Sequence, residues 1–558
     1  MKSIAKVKFP DQGQIYDYFF DPLTLSWVDW NMTVKQYEPQ PDTLYQNIVV
    51  PTADTTKQRY LLELHVKFRK PVLYVGAAGT GKTTIIKDFF SSLDPETLLS
   101  ATINFNSYTD SKALQSFMDG NLDKRQGKTY GPPPNKQIIF FMDDLNMPEV
   151  DKYGTQTPIC LIRQLLDYWT QFNRDHLEEK EKLVDCQFMA CMNPKAGSFN
   201  IDTRLQRHYS VMSCLTAERT ILDQIYRQIL EGHLRTFDPT ISGLAPKFIV
   251  ATIDIFRSIT DNPQFMPSAR KFHYQFNMRD VSKIIQGLMA AKGNLYRGQP
   301  IKMYRLWAHE TERVFKDRMV FQEDFDKFQE YVLASLKHFD ANNDEVLEKP
   351  NIYTSFLSEC QGNEKAYLPT KDIAVLKNVL SDKLEEYNES NAEMNLVLFE
   401  QAIEHVTRIA RIVDLPAGNA LLVGVGGSGK QSLSRLASFL LQYDVFTIVV
   451  STNYGIGDLK TDLQTLYTKA GCQGQQMLFM LTDSQIQDEK FLVYINDMLS
   501  AGFISDLFAK DEMDTNLGKI RNEAKSAGIA DAPDQLLEFF IDKSRKNIHV
   551  ALCFSPVG

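Results

Sequence analysis

Two glycine-rich segments of the 558-residue sequence have the residue types and spacing to hold phosphate. Residues 71–84 read PVLYVGAAGTGKTT and residues 419–432 read NALLVGVGGSGKQS. In each, an apolar run leads into Gly-x-x-x-x-Gly-Lys and then into a helical pattern. Such a loop turns backbone N–H groups onto a phosphate, and the positive end of the following helix adds to them. In the first loop Gly76, Gly79 and Gly81 are expected to shape the turn. Lys82 should reach the β- and γ-phosphates of a nucleotide, and the Thr83 hydroxyl, next to Thr84, should ligate Mg²⁺. In the second loop Gly424, Gly426, Gly427, Gly429 and Lys430 keep the cradle. There Gln431 replaces the metal-binding hydroxyl, and Ser432 follows one position late.

Hydrolysis needs more than a cradle. Asp143 ends the apolar run IIFFM, and a carboxylate after such a run is costly to bury without a cation or hydrogen bonds. It is the expected partner of Thr83 on the metal. Asp144 stands where an acid that activates water is expected, but Asp is one methylene shorter than Glu, so hydrolysis should be slow. Asp144 also reads as a turn cap together with Asn146. Asn193, ending CQFMACMN, has the chemistry to orient an attacking water, or else it is a turn residue before Pro194. In the second copy Asp483 is expected to keep the metal carboxylate. Ser484 then falls at the acid position and Ser555 at that of the amide, with Asp488 or Glu489 as substitute acids.

The elements that must position these residues also come twice. ATINFNSYTDSKALQSFM (101–118) aligns with VFTIVVSTNYGIGDLKTDL (445–463), KQIIFFMDDLN (136–146) with QQMLFMLTDSQ (475–485), and CQFMACMNP (186–194) with IHVALCFSP (548–556). Apolar runs alternating with helical stretches predict α/β units, each a parallel sheet covered by helices on both faces. Residues 210–345 carry helical periodicity instead and read as a helical lid on the first unit. The second unit has no such lid and stops after its fourth strand, so the chain reads as a piece of something longer.

Composition sets the class. Apolar residues are 43% and charged residues 23%, ordinary for a globular protein. The net charge of −9 gives no support to a general nucleic-acid binder. No apolar run approaches the roughly 18 residues of a membrane span, and the start, MKSIAKVKFP, lacks the apolar stretch of a signal peptide. The cysteines (160, 186, 191, 214, 360, 472, 553) are scattered and odd in number, which reads as reduced thiols in a cytosolic compartment. Cys186, Cys191 and Cys553 read as buried in apolar strands. DANNDEVLE (340–348) fails as a calcium loop, because Glu345 takes the place of the required Gly. His208 and His273 read as packed or hydrogen-bonded, and LEEKEKL (177–183) as a solvated helix or loop.

Several further stretches join these motifs: YGPPP (130–134), FMDDLNMPEVDKYGTQTP (141–158), ACMNPKAGSFNIDTRLQRHY (190–209), FHYQFNMRD (272–280), RLWAHETERV (305–314), GNALLVGVGGSGKQSLSRLA (418–437) and ALCFSPVG (551–558). Together they resemble the dynein heavy chains in their AAA+ motor ring, over nearly the whole chain. GKQS paired with a TDSQ strand is the most specific part. The first unit resembles the third AAA+ module and the second the fourth, in wording most like the axonemal outer-arm beta type.

The resemblance implies two P-loop AAA+ modules, the first followed by a helical lid. It implies an entry segment at 1–45, a first large domain at 46–235, a lid and connector at 236–378, and a second large domain at 379–558. It implies an ATPase that binds ATP or ADP with Mg²⁺ and gates microtubule sliding in the axoneme of a cilium or flagellum. Its partners would be the remaining AAA+ modules, other dynein heavy, intermediate and light chains, and microtubules through regions outside this sequence, with no nucleic acid or membrane. Lys82 and Thr83 match Walker A, Asp143 and Asp144 Walker B, Asn193 sensor I and Arg279 sensor II. Arg204 or Arg207 matches the arginine finger serving the preceding module. Two other readings stand beside this one: a non-hydrolysing nucleotide-binding scaffold, and a midasin-like AAA+ remodelling ATPase.

Overall fold

The computed structural model describes residues 7–39, 45, 48–195, 200–357, 366–370, 372–504 and 507–556. Cys360, part of MNPKAGSF and the last two residues of SPVG lie outside these residues. The chain divides into two compact units. The first takes Met1–Met289, Gly293–Met303 and Val314–Ala341, and the second takes Ala290–Lys292, Tyr304–Arg313 and Asn342–Gly558.

The first unit is built on five parallel strands: β1 (Val72–Val75), β2 (Leu98–Asn104), β3 (Gln137–Asp143), β4 (Cys186–Met192) and β5 (Ser210–Ser213). Their order is β5-β1-β4-β3-β2. Side chains alternate faces along a strand, so a run buried on both sides must be apolar throughout. Strand β3 obeys this. Ile138, Phe140 and Met142 face one core with Phe188 and Leu165. Ile139 and Phe141 face another with Met189, Ile86 and Leu62. The phosphate-loop helix α1 (Lys82–Ser91) starts directly after Gly81.

A smaller four-stranded sheet sits beside this core, formed by Asp123–Lys124, Thr129–Gly131, Thr170–Phe172 and Lys180–Leu183. The last of these corrects the LEEKEKL reading. It is a strand because Glu181, only 6% exposed, has partners there: the buried Gln171, Nε2 at 3.1 Å, and the half-buried Asn173, Nδ2 at 2.8 Å.

The helical part of the first unit includes Arg219–Leu234, Ala245–Thr260, Gln322–Ser335 and α2 (Met278–Leu288). The stretch Pro239–Thr260 is long and apolar enough on average to cross a membrane, contrary to expectation. It is a core helix, with Phe248, Ile249, Ile253, Ile255 and Ile259 buried.

The second unit repeats the plan with four parallel strands: β6 (Ala420–Val423), β7 (Asp444–Phe446), β8 (Met477–Thr482) and β9 (Ile548–Phe554), in the order β6-β9-β8-β7. Its phosphate-loop helix is α3 (Lys430–Leu440). Helices Ile373–Ser390 and Glu400–Val413 cover one face of the sheet, where Leu478 and Ala551 meet Leu436, Val406 and Ile403.

Candidate functional site: two phosphate loops

In the first unit β1 delivers the chain to the loop and α1 takes it away. Gly76 is required by space: a Cβ there would lie 2.3 Å from the Cys214 carbonyl oxygen. Gly81 is required by conformation, with φ 83° in the left-handed region that side chains avoid. Lys82, buried at the start of α1, donates from Nζ to the carbonyls of Gly76 and Ala77, both at 2.8 Å. Its ammonium therefore lies within the bowl of the loop. Thr84 is exposed one position on from Thr83.

Thr83 Oγ1 donates to Asp143 Oδ2 at 2.8 Å, which brings together the two residues expected on the metal. Asp143 Oδ1 accepts from the Asp144 N–H at 3.0 Å and from the Cys191 thiol at 2.6 Å. Cys191 is fully buried on β4, directly beside the tip of β3. Burial, followed by the nearby Asp143 charge, pushes its thiol pKa up, so it stays a protonated donor. The sequence reading took Cys191 for core and missed this contact.

Asp144 sits just beyond the strand at φ 54°. Asp tolerates this region better than most residues. Desolvation and then the Asp143 charge raise its pKa, while Lys82 and Arg279 pull it down. Arg279 thus acts on Asp144 although it comes from the lid. It is exposed in the first turn of α2, behind the N-cap Asn277, whose Oδ1 accepts from the Arg279 N–H at 2.9 Å. The same Asn277 oxygen lies 3.4 Å from where a Cβ on Gly79 would be, so the lid helix begins against the loop.

Asn193 follows β4. Its Oδ1 accepts from Lys195 N at 3.1 Å, the turn-residue arrangement, while Asn146 Nδ2 donates to its carbonyl at 3.0 Å. Asn146 is thereby tied to Asn193, and the turn that carries it closes with the Met147 N–H on the Asp144 carbonyl at 3.0 Å.

Arg204 and Arg207 lie elsewhere on the first unit, lining one pocket with Arg163, Arg174 and Asp167. Arg207 Nη2 pairs with Asp167 Oδ1 at 2.6 Å, which also takes His208 Nε2 at 2.9 Å. Arg204 is exposed; its backbone N–H donates to Asp202 Oδ1 at 2.9 Å, and its side chain has no partner among the described residues. His273, as expected, is hydrogen-bonded, through Nε2 to the Arg318 carbonyl at 2.9 Å.

The second loop keeps the shape of the first. Gly427 and Gly429 both have φ 77°, and nothing lies near a Cβ built on Gly426. Lys430 Nζ donates to the carbonyls of Gly424 and Val425. Gln431 is exposed and Ser432 half-buried at the head of α3.

The strand register corrects the placing of Asp483. On β3 and β4, Met142 pairs with Ala190. On β8 and β9, Leu481 pairs with Leu552. Carrying the pairing one residue on sets Thr482, the last residue of β8, at the place of Asp143. Asp483 then falls at the place of Asp144, beyond the strand. Its Oδ1 accepts from Ser484 N at 3.0 Å and its Oδ2 from Ser555 N at 3.1 Å, and the Ser555 contacts hold its carboxyl below the usual range. The Thr482 hydroxyl is used locally, donating to Gln485 Oε1 at 3.0 Å.

Among the described residues no three His, Cys, Asp or Glu side chains gather as a metal cage. The donor set Thr83 and Asp143 nevertheless suits Mg²⁺, which takes few protein ligands and keeps phosphate and water for the rest.

Comparison with known proteins agrees with this geometry. Residues 37–217 match the family model "P-loop containing dynein motor region", residues 394–558 match "P-loop containing dynein motor region D4", and residues 248–349 match "AAA+ lid domain". The chain is 46% identical over 557 residues to the "Dynein beta chain, flagellar outer arm" of Chlamydomonas reinhardtii, covering 99% of this chain and 12% of that protein. It is 44% identical over 557 residues to human "Dynein axonemal heavy chain 17", and 43% over 556 residues to the ciliary dynein beta chain of Tripneustes gratilla, with the same coverage of each. It therefore spans 12% of the length of these relatives. With two AAA+ P-loop units and a lid in a continuous match of this extent, the chain belongs to the dynein heavy chain family, as a segment of its motor region.

Proposed function

We propose that this chain is the regulatory part of an axonemal dynein motor ring. The first unit binds ATP with Mg²⁺ and hydrolyses it slowly in the assembled ring. The second holds nucleotide and does not turn it over. The observation that carries this reading is the 2.8 Å contact between Thr83 and Asp143 beside the buried Lys82. It joins the loop hydroxyl to a strand-tip carboxylate where a nucleotide's cation would sit. Mg²⁺ bound there by Thr83 and Asp143 supplies charge to the transferred phosphoryl group. Asp144 orients and deprotonates water, and Arg279 lowers the cost of its charge. Asn193 offers a further polar contact near the γ-phosphate.

Arg204 is the arginine presented to the nucleotide of a preceding module, because Arg207 is already paired with Asp167. Nucleotide state in the two units gates the main hydrolytic site of the ring, and through it the sliding of microtubules in a cilium or flagellum. The remaining AAA+ modules, the other heavy, intermediate and light chains, and microtubules are partners through parts of the protein beyond this segment.

The test is extraction and mass analysis of the bound nucleotide in wild type and in Lys82→Ala and Lys430→Ala. ADP lost with Lys82→Ala and ATP lost with Lys430→Ala is the expected result. Unhydrolysed ATP at both loops would move the first unit to the scaffold reading.

A further inference from the structure

We infer that the second phosphate loop retains its nucleotide without a protein-held divalent cation, so that the two loops differ in cation dependence. This rests on the reading of the second loop as a nucleotide site. The donor set there does not fit Mg²⁺. In the first unit the cation's place is bounded by a hydroxyl and a carboxylate, Thr83 and Asp143, that touch at 2.8 Å. The second unit changes both. Gln431 occupies the position of Thr83 and points to solvent-exposed space. Thr482 occupies the register position of Asp143, so the last residue of β8 is uncharged and the carboxylate is carried by Asp483, one residue beyond the strand.

The neighbouring groups do not replace what is lost. The Thr482 hydroxyl is only 6% exposed at residue level and is spent on Gln485 Oε1 and Ser484 Oγ, each at 3.0 Å. Asp483 lies one residue further on, and both its oxygens accept from backbone N–H groups, of Ser484 and Ser555. Mg²⁺ gives up its water reluctantly and is usually held through one or two carboxylates. With no hydroxyl at 431 and the Asp483 carboxylate displaced one residue beyond the strand and engaged by Ser484 and Ser555, phosphate recognition falls to Lys430, the loop N–H groups and the start of α3. A nucleotide so held keeps its affinity when the cation is removed. It also lacks the metal-assisted route to hydrolysis, which suits a holding site.

The experiment is hydrogen–deuterium exchange of the full chain, read on peptides covering 76–84 and 424–432. ATP is titrated with excess Mg²⁺ and again with EDTA. Protection at 424–432 should need the same ATP concentration, within about twofold, in both conditions. Protection at 76–84 should need at least about tenfold more ATP in EDTA. The double variant Gln431→Thr with Thr482→Asp should make 424–432 cation-dependent.

Loss of protection at 424–432 in EDTA, matching 76–84, overturns the inference. A double variant that binds ATP yet stays indifferent to the cation also overturns it. No protection at 424–432 in either condition, with 76–84 protected, overturns the nucleotide-site reading itself.

Discussion

The Cys191 thiol donates to Asp143 Oδ1 at 2.6 Å, while the Thr83 hydroxyl, 3.9 Å from the same sulfur, donates to Oδ2 at 2.8 Å. One oxygen is thereby fixed by the sheet, and the other is turned to the phosphate loop. Groups that orient a metal ligand are typically worth 10–100-fold in metal affinity. Cys191→Val keeps the shape and removes the donor. It should raise the Mg²⁺ concentration needed for ATP binding at the first loop by about tenfold. Cys191→Ser, which restores a donor, should recover most of that. Mg²⁺ titration of ATP-induced protection at 76–84 reads both variants, and an unchanged midpoint in Cys191→Val would show the thiol to be mere packing.

On the proposed reading Asp144 is the base that activates water at the first loop, with a carboxyl one methylene short of a Glu. Asp144→Glu should therefore speed single-turnover hydrolysis at this site in the heavy chain. Asp144→Asn should slow it by about 10²-fold or more, the scale of a general base. ATP binding should be nearly unchanged in both. A faster Asn variant would place the base elsewhere.

Arg204 and Arg207 share a pocket but differ in partners. Arg207 is paired with Asp167, and the Arg204 side chain has no partner among the described residues. In the assembled ring Arg204→Ala should cut hydrolysis at the preceding module by about 10³-fold or more, as loss of an arginine finger does. Arg207→Ala should have a much smaller effect. The reverse ranking, measured by single-site hydrolysis in the heavy chain, would assign the role to Arg207.

How far the sequence disclosed this site follows from the range of each signal. The loops, their helices and Asp143 are local patterns, set by a few consecutive residues, and the structure places them as expected. The strands of β3 and β4 were legible because a run such as IIFFM has only one comfortable environment. Cys191 was not legible. A cysteine in an apolar strand reads as core, and its contact depends on which residue the neighbouring strand sets beside it. Asp483 was misplaced for a different reason. TDS offers one carboxylate, which drew the assignment one place along, although the alignment of 136–146 with 475–485 already sets Thr482 opposite Asp143, as the pairing of Leu481 with Leu552 does in the structure. Glu181 shows the limit of charge patterning, since its partners are Gln171 on the neighbouring strand and Asn173 just beyond that strand's end.

The second unit should lose stability as the medium turns mildly acidic. His309 is 1% exposed, with Nδ1 on the Asn351 carbonyl at 2.8 Å and Nε2 on Tyr367 Oη at 2.7 Å. Both ring nitrogens are used in the neutral form, as donor and acceptor. Burial, then the Arg408 charge, holds its pKa well below the ordinary value, with Arg313 adding to this and Glu310 opposing it. Burial lowers His549 as well.

An unfolded chain takes up these protons near the ordinary histidine value, while the native state refuses them. Stability is therefore full above about pH 6.5 and falls below it, by up to about 1.4 kcal/mol per pH unit for each histidine. Glu310 acts in the same direction further down. Its carboxylate, fully buried and bound by Arg313 at 2.8 Å, has its pKa lowered to about 2. Its contribution is present above the unfolded value of about 4.3 and is lost as the pH falls toward 2. Urea unfolding of the second unit, followed by hydrogen exchange at β8 and β9 between pH 7.5 and 5, should show the first decline. His309→Gln should remove about half of its slope, whatever that variant costs at pH 7.5. A flat profile in wild type would mean that these histidines take up protons in place, with the Glu310 carboxylate, 4.0 Å from His309 Nε2, receiving that charge.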